Sequence, residues 1–196
     1  MPEKYLHTLL IEKLVPGGLG LARLESGLVV MVRHVLPAEK VLVRQIRRKK
    51  DYIAATLEKV LSPSPERCKP PCPYYGRCGG CDLQHAEYGT QVRLKKEILA
   101  ESLTRAGGDR LLPHRFSIET PLPSAAQFGY RQRLRFQVDK AGSYGFFHPE
   151  SHRIEPVSRC LLAKNELNHV LGQLHGSGSF KGLVSHCSGF ELLFNP

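Results

Sequence analysis

Four of the six cysteines in this 196-residue chain lie between positions 68 and 81. Their spacing is Cys68-x3-Cys72-x5-Cys78-x2-Cys81, and the surrounding stretch is broken by several prolines and two glycines, namely Pro63, Pro65, Pro70, Pro71, Pro73, Gly79 and Gly80. Such dense proline and glycine excludes a regular helix or strand and predicts an irregular loop. The loop therefore has few backbone ladder bonds to hold it, and its thiols become candidate ligands.

The cysteines point to metal binding rather than to disulfides. The start, Met1-Pro2-Glu3-Lys4, lacks the apolar core and cleavage site of a secretory signal, so we expect a cytoplasmic protein. Disulfides are rare in that reducing compartment. The longest apolar run, residues 28–32, is far shorter than the roughly 20 residues of a membrane-spanning helix, so no membrane partner is expected.

The spacing of the cysteines indicates which kinds of metal site the loop could form. Structural zinc usually takes two cysteine pairs that are separated by a dozen or more residues, so a zinc site here would be cramped. Three clustered thiolates with a distant fourth are typical of iron-sulfur clusters, and Cys72, Cys78 and Cys81 with Cys160 fit that pattern. The adjacent glycines leave room for a cluster and can direct N–H groups toward its sulfurs. An iron-sulfur cluster, zinc and uncoordinated thiols all remain open on spacing alone.

Residues 1–62 have the pattern of a small β domain. Turn residues such as Pro16-Gly17-Gly18 separate five predicted strands, which are Tyr5–Glu12, Gly20–Leu24, Gly27–Arg33, Lys40–Arg47 and Tyr52–Val60. Five short strands at this spacing predict a closed, OB-like five-stranded barrel. The glycines near residue 18 are not followed by Lys-Ser/Thr, so we interpret them as a turn and not as a phosphate loop.

The rest of the chain mixes helices and strands. Helical spacing of Val92, Leu99 and Leu103 predicts a solvent-faced helix from about Thr90 to Ala106, and another helix is predicted from Asn165 to His175. Strands are predicted from about residue 115 onward, most clearly over 130–138, and again over 183–194. The expected fold is mainly β with an α+β part. Its three parts are a barrel (1–62), a cysteine-rich loop and helix (63–110) and an α+β domain (111–196).

The charge of the chain indicates a polyanionic partner. It has 28 Lys and Arg against 18 Asp and Glu, a formal net charge of +10. One basic run lies at the end of the fourth predicted strand and consists of Arg44, Arg47, Arg48, Lys49 and Lys50. A solvated turn is the plain alternative, but an OB-like barrel favours RNA, since such barrels bind a backbone along a basic groove.

A second basic surface is predicted in the strand over 130–138. Period-two alternation places Tyr130, Leu134, Phe136 and Val138 on one face and Arg131, Arg133 and Arg135 on the other. No acidic residue interleaves within this strand, and arginine can form bidentate contacts with phosphates. We therefore predict that these three arginines bind RNA, with nearby Tyr144, Phe146 and Phe147 as candidates for base stacking.

The chain also resembles a known family. The run Cys72-Pro-Tyr-Tyr-Gly-Arg-Cys-Gly-Gly-Cys81, followed by Leu83-Gln84-His85, resembles the iron-sulfur signature of bacterial RNA uracil-C5 methyltransferases, in particular the branch that acts on large-subunit ribosomal RNA. Residues 17–67 resemble the TRAM domain of that family. Tyr130-Arg131-Gln132-Arg133 and Ser151-His152-Arg153-Ile154 resemble its central domain.

This resemblance implies a TRAM domain that binds RNA and a 4Fe-4S cluster held by Cys72, Cys78, Cys81 and Cys160. It places Cys68 outside the ligand set. His85 follows the cysteines and is a candidate ligand, but a histidine in such a position is more often a hydrogen-bonding neighbour, and the resemblance does not make it a ligand. The implied partner is RNA, with ribosomal RNA expected and transfer RNA as the alternative, and the chain is expected to be a monomer. One departure is Pro37-Ala38-Glu39, where the family usually has a glycine after the proline; only a turn geometry depends on it.

The catalytic parts of the family are not matched. Its nucleophile is a cysteine in a Ser-Cys-Asn-Pro context, whereas Cys187 follows Ser185-His186 and precedes Ser188-Gly189. No strand, Gly-x-Gly turn and helix unit for S-adenosylmethionine is found. We therefore expect the RNA- and cluster-binding front part of a methyltransferase, which would use this cofactor only with a catalytic domain supplied. A free-standing RNA-binding module with a structural or redox-sensing metal site, and a zinc-stabilised binder, are the alternatives.

Overall fold

A computed structural model describes residues 5–107 and 117–195 of the chain. It contains two compact units: the first comprises Met1–Pro70 and Asp82–Pro123, and the second Pro71–Cys81 and Ser124–Pro196. The cysteine-rich segment is therefore divided between the units, while the expected boundary at 110/111 lies outside the described residues. No helix in the described ranges is long and apolar enough to cross a membrane.

The first unit is built on a six-stranded sheet. Its strands follow the order β1-β5-β6-β4-β3-β2, and every neighbouring pair is antiparallel except β4 and β6. The strands are β1 (Leu6–Leu10), β2 (Lys13–Val15), β3 (Leu19–Arg23), β4 (Val29–Val32), β5 (Lys40–Arg48) and β6 (Tyr52–Ser62). Gly17 and Gly18 form the β2–β3 turn with φ of +84° and +68°, which agrees with the predicted turn.

This sheet is strongly curled. Strands β1 and β2 lie at its opposite edges, yet only two residues separate them in the chain. At the crossing, the N–H of Ile11 donates to the Glu39 carbonyl at 2.9 Å, and the N–H of Glu12 donates to the Leu21 carbonyl at 2.8 Å. The first predicted strand therefore bends at these residues and continues as β2. The prediction of five strands was therefore wrong, because the sheet has six and β2 was not predicted as a separate strand.

The curled sheet encloses an apolar core of alternate residues. Its buried members are Leu9, Ile11, Ala22, Val30, Val32, Val35, Val41, Val43, Ile53 and Ala55. A second cluster, formed by Leu14, Leu36, Leu83, Ala86 and Leu94, joins the sheet to helix α1 (Tyr88–Gly107). Helix α1 forms where it was predicted, but it packs through Thr90, Leu94 and Ile98, while Leu99 stays exposed. The predicted apolar face was therefore wrong at Leu99, whereas Val92 and Leu103 are partly buried.

A fully buried carboxylate organises the loop before β5. Glu39 accepts hydrogen bonds from the backbone N–H groups of Leu36 at 2.8 Å and Ser64 at 3.1 Å, and the guanidinium of Arg67 donates to both of its oxygens. Burial opposes the charge of Glu39, but these donors outweigh it and lower the pKa of the carboxyl. The bonds connect the loop to the segment that follows β6.

The second unit is a four-stranded antiparallel sheet packed against two helices. Its strands follow the order β10-β7-β8-β9, and they are β7 (Arg133–Val138), β8 (Tyr144–Phe147), β9 (Ile154–Pro156) and β10 (Gly189–Leu193), with helices α2 (Asn165–His175) and α3 (Gly178–Val184). Gly145 allows β8 and β9 to approach closely, since a Cβ there would lie 1.9 Å from the Glu155 carbonyl oxygen.

Two sequence predictions in this unit need correction. Helix α2 has the predicted bounds, but the predicted strand over 183–194 begins only at Gly189, because Leu183 and Val184 end α3. Strand β7 begins at Arg133, and Tyr130 lies outside it with its ring half-exposed. Instead, the N–H of Arg131 donates to the Leu162 carbonyl at 2.7 Å, and the Lys164 N–H donates to the Arg131 carbonyl at 3.0 Å.

Candidate functional site

The cysteine loop, Pro71–Cys81, is held within the second unit by side chains of its own. The Tyr74 hydroxyl lies 2.8 Å from the Ser158 hydroxyl and accepts the Ser158 N–H at 3.2 Å. The Arg77 guanidinium donates to the Glu155 carboxylate at 2.8 Å, and His148 lies 3.0 Å from the same carboxylate. The loop is therefore fixed to the segment that begins with β9 and leads to Cys160.

Tight turns inside the loop bring its cysteines together. The N–H of Tyr75 donates to the Cys72 carbonyl at 3.1 Å, and the N–H of Cys78 donates to the Tyr74 carbonyl at 2.8 Å. Gly76 has a φ of +85°, which other residues rarely adopt. Gly79 donates its N–H to the Phe147 carbonyl at 2.9 Å, and a Cβ at Gly79 would meet that oxygen at 2.9 Å. Both glycines are thus needed for the backbone path.

Cys78 lies close enough to the three other thiols of the second unit to be influenced by them electrostatically. Burial, together with like-charge repulsion from the three other cysteines, Cys81, Cys160 and Cys72, raises the pKa of Cys78 to about 11. The Gly80 backbone N–H donates to Cys78 and lowers its pKa in part. Of the two glycines predicted to direct N–H groups at sulfur, Gly80 does so and Gly79 does not.

Cys160 is held through its backbone. Its N–H donates to the Asn168 side-chain oxygen at 2.8 Å, and the Asn168 amide donates to the Cys160 carbonyl at 3.0 Å. Asn168 lies in the first half of α2. Cys160 itself is partly buried and packs against the core of the second unit.

The structure does not demonstrate a metal site. All six cysteines are free thiols, and among residues 5–107 and 117–195 no group of three or more His, Cys, Asp or Glu side chains is arranged to hold a metal ion. A single zinc ion requires all of its sulfurs at about 2.3 Å from one point. A cluster instead binds each thiolate through a different iron, so its ligands lie farther apart. Cys78 interacts electrostatically with the three other thiols, and a set of four thiols is the donor set that an iron-sulfur cluster takes.

The remaining cysteines and His85 lie elsewhere. Cys68 belongs to the first unit, where its thiol donates to the Gln84 carbonyl at 3.5 Å. His85 is buried in that unit with its Nε2 3.1 Å from the Val35 carbonyl, and burial lowers its pKa to about 4. Cys187 is exposed in the turn between α3 and β10. The hydrogen bond of the His85 ring to Val35 therefore lies within the first unit, and a position beside the cluster stays a prediction.

The hairpin surface comprises Arg44, Arg47, Arg48, Lys49 and Lys50, at the end of β5 and in the turn to β6. Arg44 forms a bidentate pair with Glu58, with bonds of 2.8 and 3.0 Å. The other four side chains are exposed, and no carboxylate of the described residues lies within ion-pair distance of them. Four cations at this turn are therefore available to an anionic partner.

The arginine face comprises Arg131, Arg133 and Arg135, and it has an acidic neighbour that the sequence did not reveal. Strand β10 places Glu191 opposite Arg135, and the Arg133 guanidinium donates to both Glu191 oxygens at 2.9 and 2.7 Å. Arg135 lies 3.7 Å from the same carboxylate. No acidic residue interleaves within the strand itself, as the sequence shows, and the carboxylate that faces these arginines comes from the neighbouring strand β10.

The predicted stacking residues separate into two groups. Tyr144 is buried and contacts Phe136 edge-on at 5.9 Å, while Phe146 stacks on Phe136 at 5.0 Å. Both rings thus contribute to the core. Phe147 is exposed and has His152 edge-on at 5.3 Å, so it alone of the three is accessible to a base.

Comparison with known proteins gives no matching family model. However, the chain is 43% identical over 87% of its length to an uncharacterized RNA methyltransferase of Aquifex aeolicus. It is 34% identical over 98% of its length to the 23S rRNA (uracil(1939)-C(5))-methyltransferase RlmD of Pectobacterium atrosepticum. Its relatives are RNA methyltransferases. The chain spans only 39% and 42% of the lengths of these two proteins.

A solved structure has a similar fold. The tRNA (uracil-54, C5)-methyltransferase of Pyrococcus abyssi, in complex with S-adenosyl-L-homocysteine, matches with a TM-score of 0.58 at 24% identity. The match covers 86% of this chain and 36% of that protein. At this identity the likeness concerns the fold.

Sequence reasoning missed three side chains that organise the site. Glu191 acts across the β7–β10 pair, and Glu155 binds Arg77 of the cysteine loop from 78 positions along the chain. Nothing in a single sequence indicates such long-range contacts. Asn168 lies 8 residues after Cys160, on helix α2. A polar residue on the inner side of a predicted amphipathic helix was a signal that could have identified it.

Proposed function

We propose that this chain is the RNA-binding, cluster-containing part of an S-adenosylmethionine-dependent RNA (uracil-C5) methyltransferase that acts on ribosomal RNA. The observation that carries the proposal is the similarity to RNA methyltransferases over most of this chain, which includes a relative named for a 23S ribosomal uracil. Transfer RNA is the second candidate substrate, because the similar fold of the archaeal enzyme is named for a tRNA uracil.

The role within such an enzyme is to hold RNA. The net charge of +10 and the unpaired cations of the hairpin surface, Arg47 to Lys50, supply a sequence-independent attraction for phosphates. The curled sheet of the first unit supports the proposal of a TRAM-type, OB-like domain, since such barrels bind single strands along a basic groove. We assign the base-specific chemistry to the part of the longer relatives that this chain does not span.

A 4Fe-4S cluster bound by Cys72, Cys78, Cys81 and Cys160 is part of the proposal. Its support is the electrostatic proximity of the four thiols and the purely thiol donor set. When bound, the cluster would connect the cysteine loop to the segment at Cys160 and supply the positive charge that keeps four thiolates together. Gly80 would donate an N–H toward the ligand sulfur of Cys78.

RNA binding is tested by titrating the chain into labelled fragments of large-subunit ribosomal RNA, a transfer RNA transcript and a DNA duplex of equal length. We expect tighter binding to the ribosomal fragment than to the duplex, with affinity that falls as salt rises. Tighter binding to the transfer RNA would favour the second candidate. Equal affinity for all three would contradict an RNA-specific function.

The metal is tested by anaerobic purification and elemental analysis. We expect a brown protein with about four irons and four sulfides per chain. Cys160→Ser should lose the colour, whereas Cys68→Ser should keep it, because Cys68 lies in the other unit. Stoichiometric zinc would instead support a zinc-stabilised binder, and a colourless, metal-free protein that still binds RNA would support a module without a cluster.

A further inference from the structure

The side chain of Asn168 hydrogen-bonds to both the N–H and the carbonyl of Cys160. Its oxygen accepts the Cys160 N–H at 2.8 Å, and its amide nitrogen donates to the Cys160 carbonyl at 3.0 Å and to the Ala163 carbonyl at 3.4 Å. Donor and acceptor are both needed, so only an amide at this position makes the whole set. The conformation of Cys160 is thereby fixed by a residue of helix α2.

The thiol of Cys160 takes no part in these hydrogen bonds. In the described ranges no hydrogen bond to its sulfur is found, and the sulfur remains available to the cysteine loop, where it already interacts electrostatically with Cys78. Asn168 therefore restrains the backbone and leaves the ligand atom available.

Cys160 differs from the other three cysteines in how its position is set. Cys72, Cys78 and Cys81 share one loop whose own turns determine their spacing. Cys160 comes from a separate segment after β9, so its backbone needs an independent restraint. A restraint present before metal binding reduces the entropy lost when the ligands are ordered.

We propose that Asn168 is a positioning residue for the metal centre: it holds Cys160 in the conformation in which its thiolate binds the cluster. This inference rests on the cluster of the proposed function. Partners that orient a metal ligand are typically worth about 10- to 100-fold in metal affinity. We therefore expect Asn168 to determine how firmly the cluster is retained.

The test compares variants of the full chain after identical anaerobic reconstitution with iron and sulfide. In Asn168→Ala, we expect the visible absorbance of the cluster to decay at least about tenfold faster in air than in the unmodified chain. The visible circular dichroism of the cluster should also change. Asn168→Asp keeps an acceptor for the Cys160 N–H but sets a carboxylate oxygen against the Cys160 and Ala163 carbonyls, so its decay should be at least as fast as that of Asn168→Ala.

Two controls separate positioning from general stability. Asn165→Ala removes the same side chain from an exposed position of α2 and should leave decay unchanged. Leu171→Val weakens the buried face of α2 without touching Asn168, and its decay should also stay near that of the unmodified chain at a temperature well below both melting points.

Equal decay of Asn168→Ala and Asn165→Ala would overturn the inference, as would equally fast decay of Asn168→Ala and Leu171→Val, which would show a role in stability alone. If Asn168→Ala does not fold, Asn168→Asp must show the faster decay. An unmodified chain that binds no iron and sulfide would overturn the proposed cluster itself, a separate result.

Discussion

Ala38 adopts a left-handed conformation, with φ of +64°, in the turn before the buried carboxylate of Glu39. This is the position where the family resemblance calls for glycine. A residue with a Cβ is destabilised by about 1–2 kcal/mol in this conformation, whereas glycine adopts it freely. Glycine offsets part of that advantage, because its unfolded chain has more conformational entropy to lose on folding. Ala38 is exposed, so replacing it removes no packing.

We therefore predict that Ala38→Gly raises the free energy of unfolding by about 0.5–1 kcal/mol. Chemical denaturation followed by circular dichroism measures the change. Ala100→Gly, inside helix α1, is the matched control and should lower the same free energy by about 1 kcal/mol. The same sign for both substitutions would contradict the assigned conformation of residue 38.

His85 gives the first unit a pH dependence. Burial lowers its pKa to about 4, so the folded protein keeps the ring neutral while the unfolded chain takes up a proton below about pH 6.5. The unfolded state binds more protons in this window, and stability must fall as the pH falls. The pKa of His34 is lowered by burial as well, which adds in the same direction.

We predict a loss of about 2 kcal/mol of unfolding free energy between pH 6.5 and pH 5. Denaturation series at several pH values measure it. In His85→Gln the side-chain amide can still donate to the Val35 carbonyl but does not titrate, so most of the slope should vanish. An unchanged slope in this variant would mean that other groups cause the pH dependence.

At the scale of elements, the β7–β10 pair determines whether the arginine face can bind RNA. Glu191 neutralises Arg133 and lies near Arg135, so RNA must compete with this carboxylate. We predict that Glu191→Gln raises affinity for ribosomal RNA fragments at least severalfold, because it releases both guanidinium groups to phosphates. Glu25→Gln changes the net charge equally from an exposed position and should raise affinity much less.

The same face makes a second prediction. Replacing Arg131, Arg133 and Arg135 together by Ala should weaken RNA binding and flatten the plot of log affinity against log salt by about 0.7 per lost phosphate contact in single-stranded segments. Lysine replacements should restore the salt slope without restoring bidentate contacts. Fluorescence anisotropy over a salt series measures both. An unchanged slope in the Ala variant would place RNA elsewhere on the molecule.

The elements also show what a single sequence can reveal. Helix α2 and most strands were predictable, because alternating or helical apolar patterns depend on near neighbours in the chain. The packing face of α1 was not, because Leu94 is buried by residues from β2 and from the loop at Leu36. The pairing of Glu191 with Arg133 was equally hidden, since it depends on long-range strand register.

At the scale of the whole molecule, the spacing of the cysteines located the cysteine loop in the sequence but did not show to which unit it belongs. Sequence order put it with helix α1, whereas the structure groups Pro71–Cys81 with residues beyond Ser124. The cause is the set of contacts made by Tyr74 and Arg77 with Ser158 and Glu155, far along the chain. That the cysteine loop binds a metal, and which metal it binds, both stay predictions.

Activity is also a property of the whole molecule. The sequence carries no matching nucleophile and no cofactor-binding motif, so we predict that this chain alone gives no saturable heat with S-adenosylmethionine in calorimetry and transfers no methyl group to RNA. Saturable binding of the cofactor would show that the relevant site had been misread. Methyl transfer by Cys187→Ser at the rate of the unmodified chain would then exclude Cys187 as its nucleophile.

The crossing at Ile11 and Glu12 has a consequence for the order of folding. Leu6 pairs with Arg44 and Leu10 with Lys40, so the first strand has no partner until β5 has been made and folded back. Hairpins β2–β3 and β3–β4 can form from local contacts alone. Long-range pairing is slow because loop closure costs entropy before contacts are gained. We expect β1 to join last, so its apolar residues stay exposed during synthesis until the polypeptide has emerged well beyond residue 48.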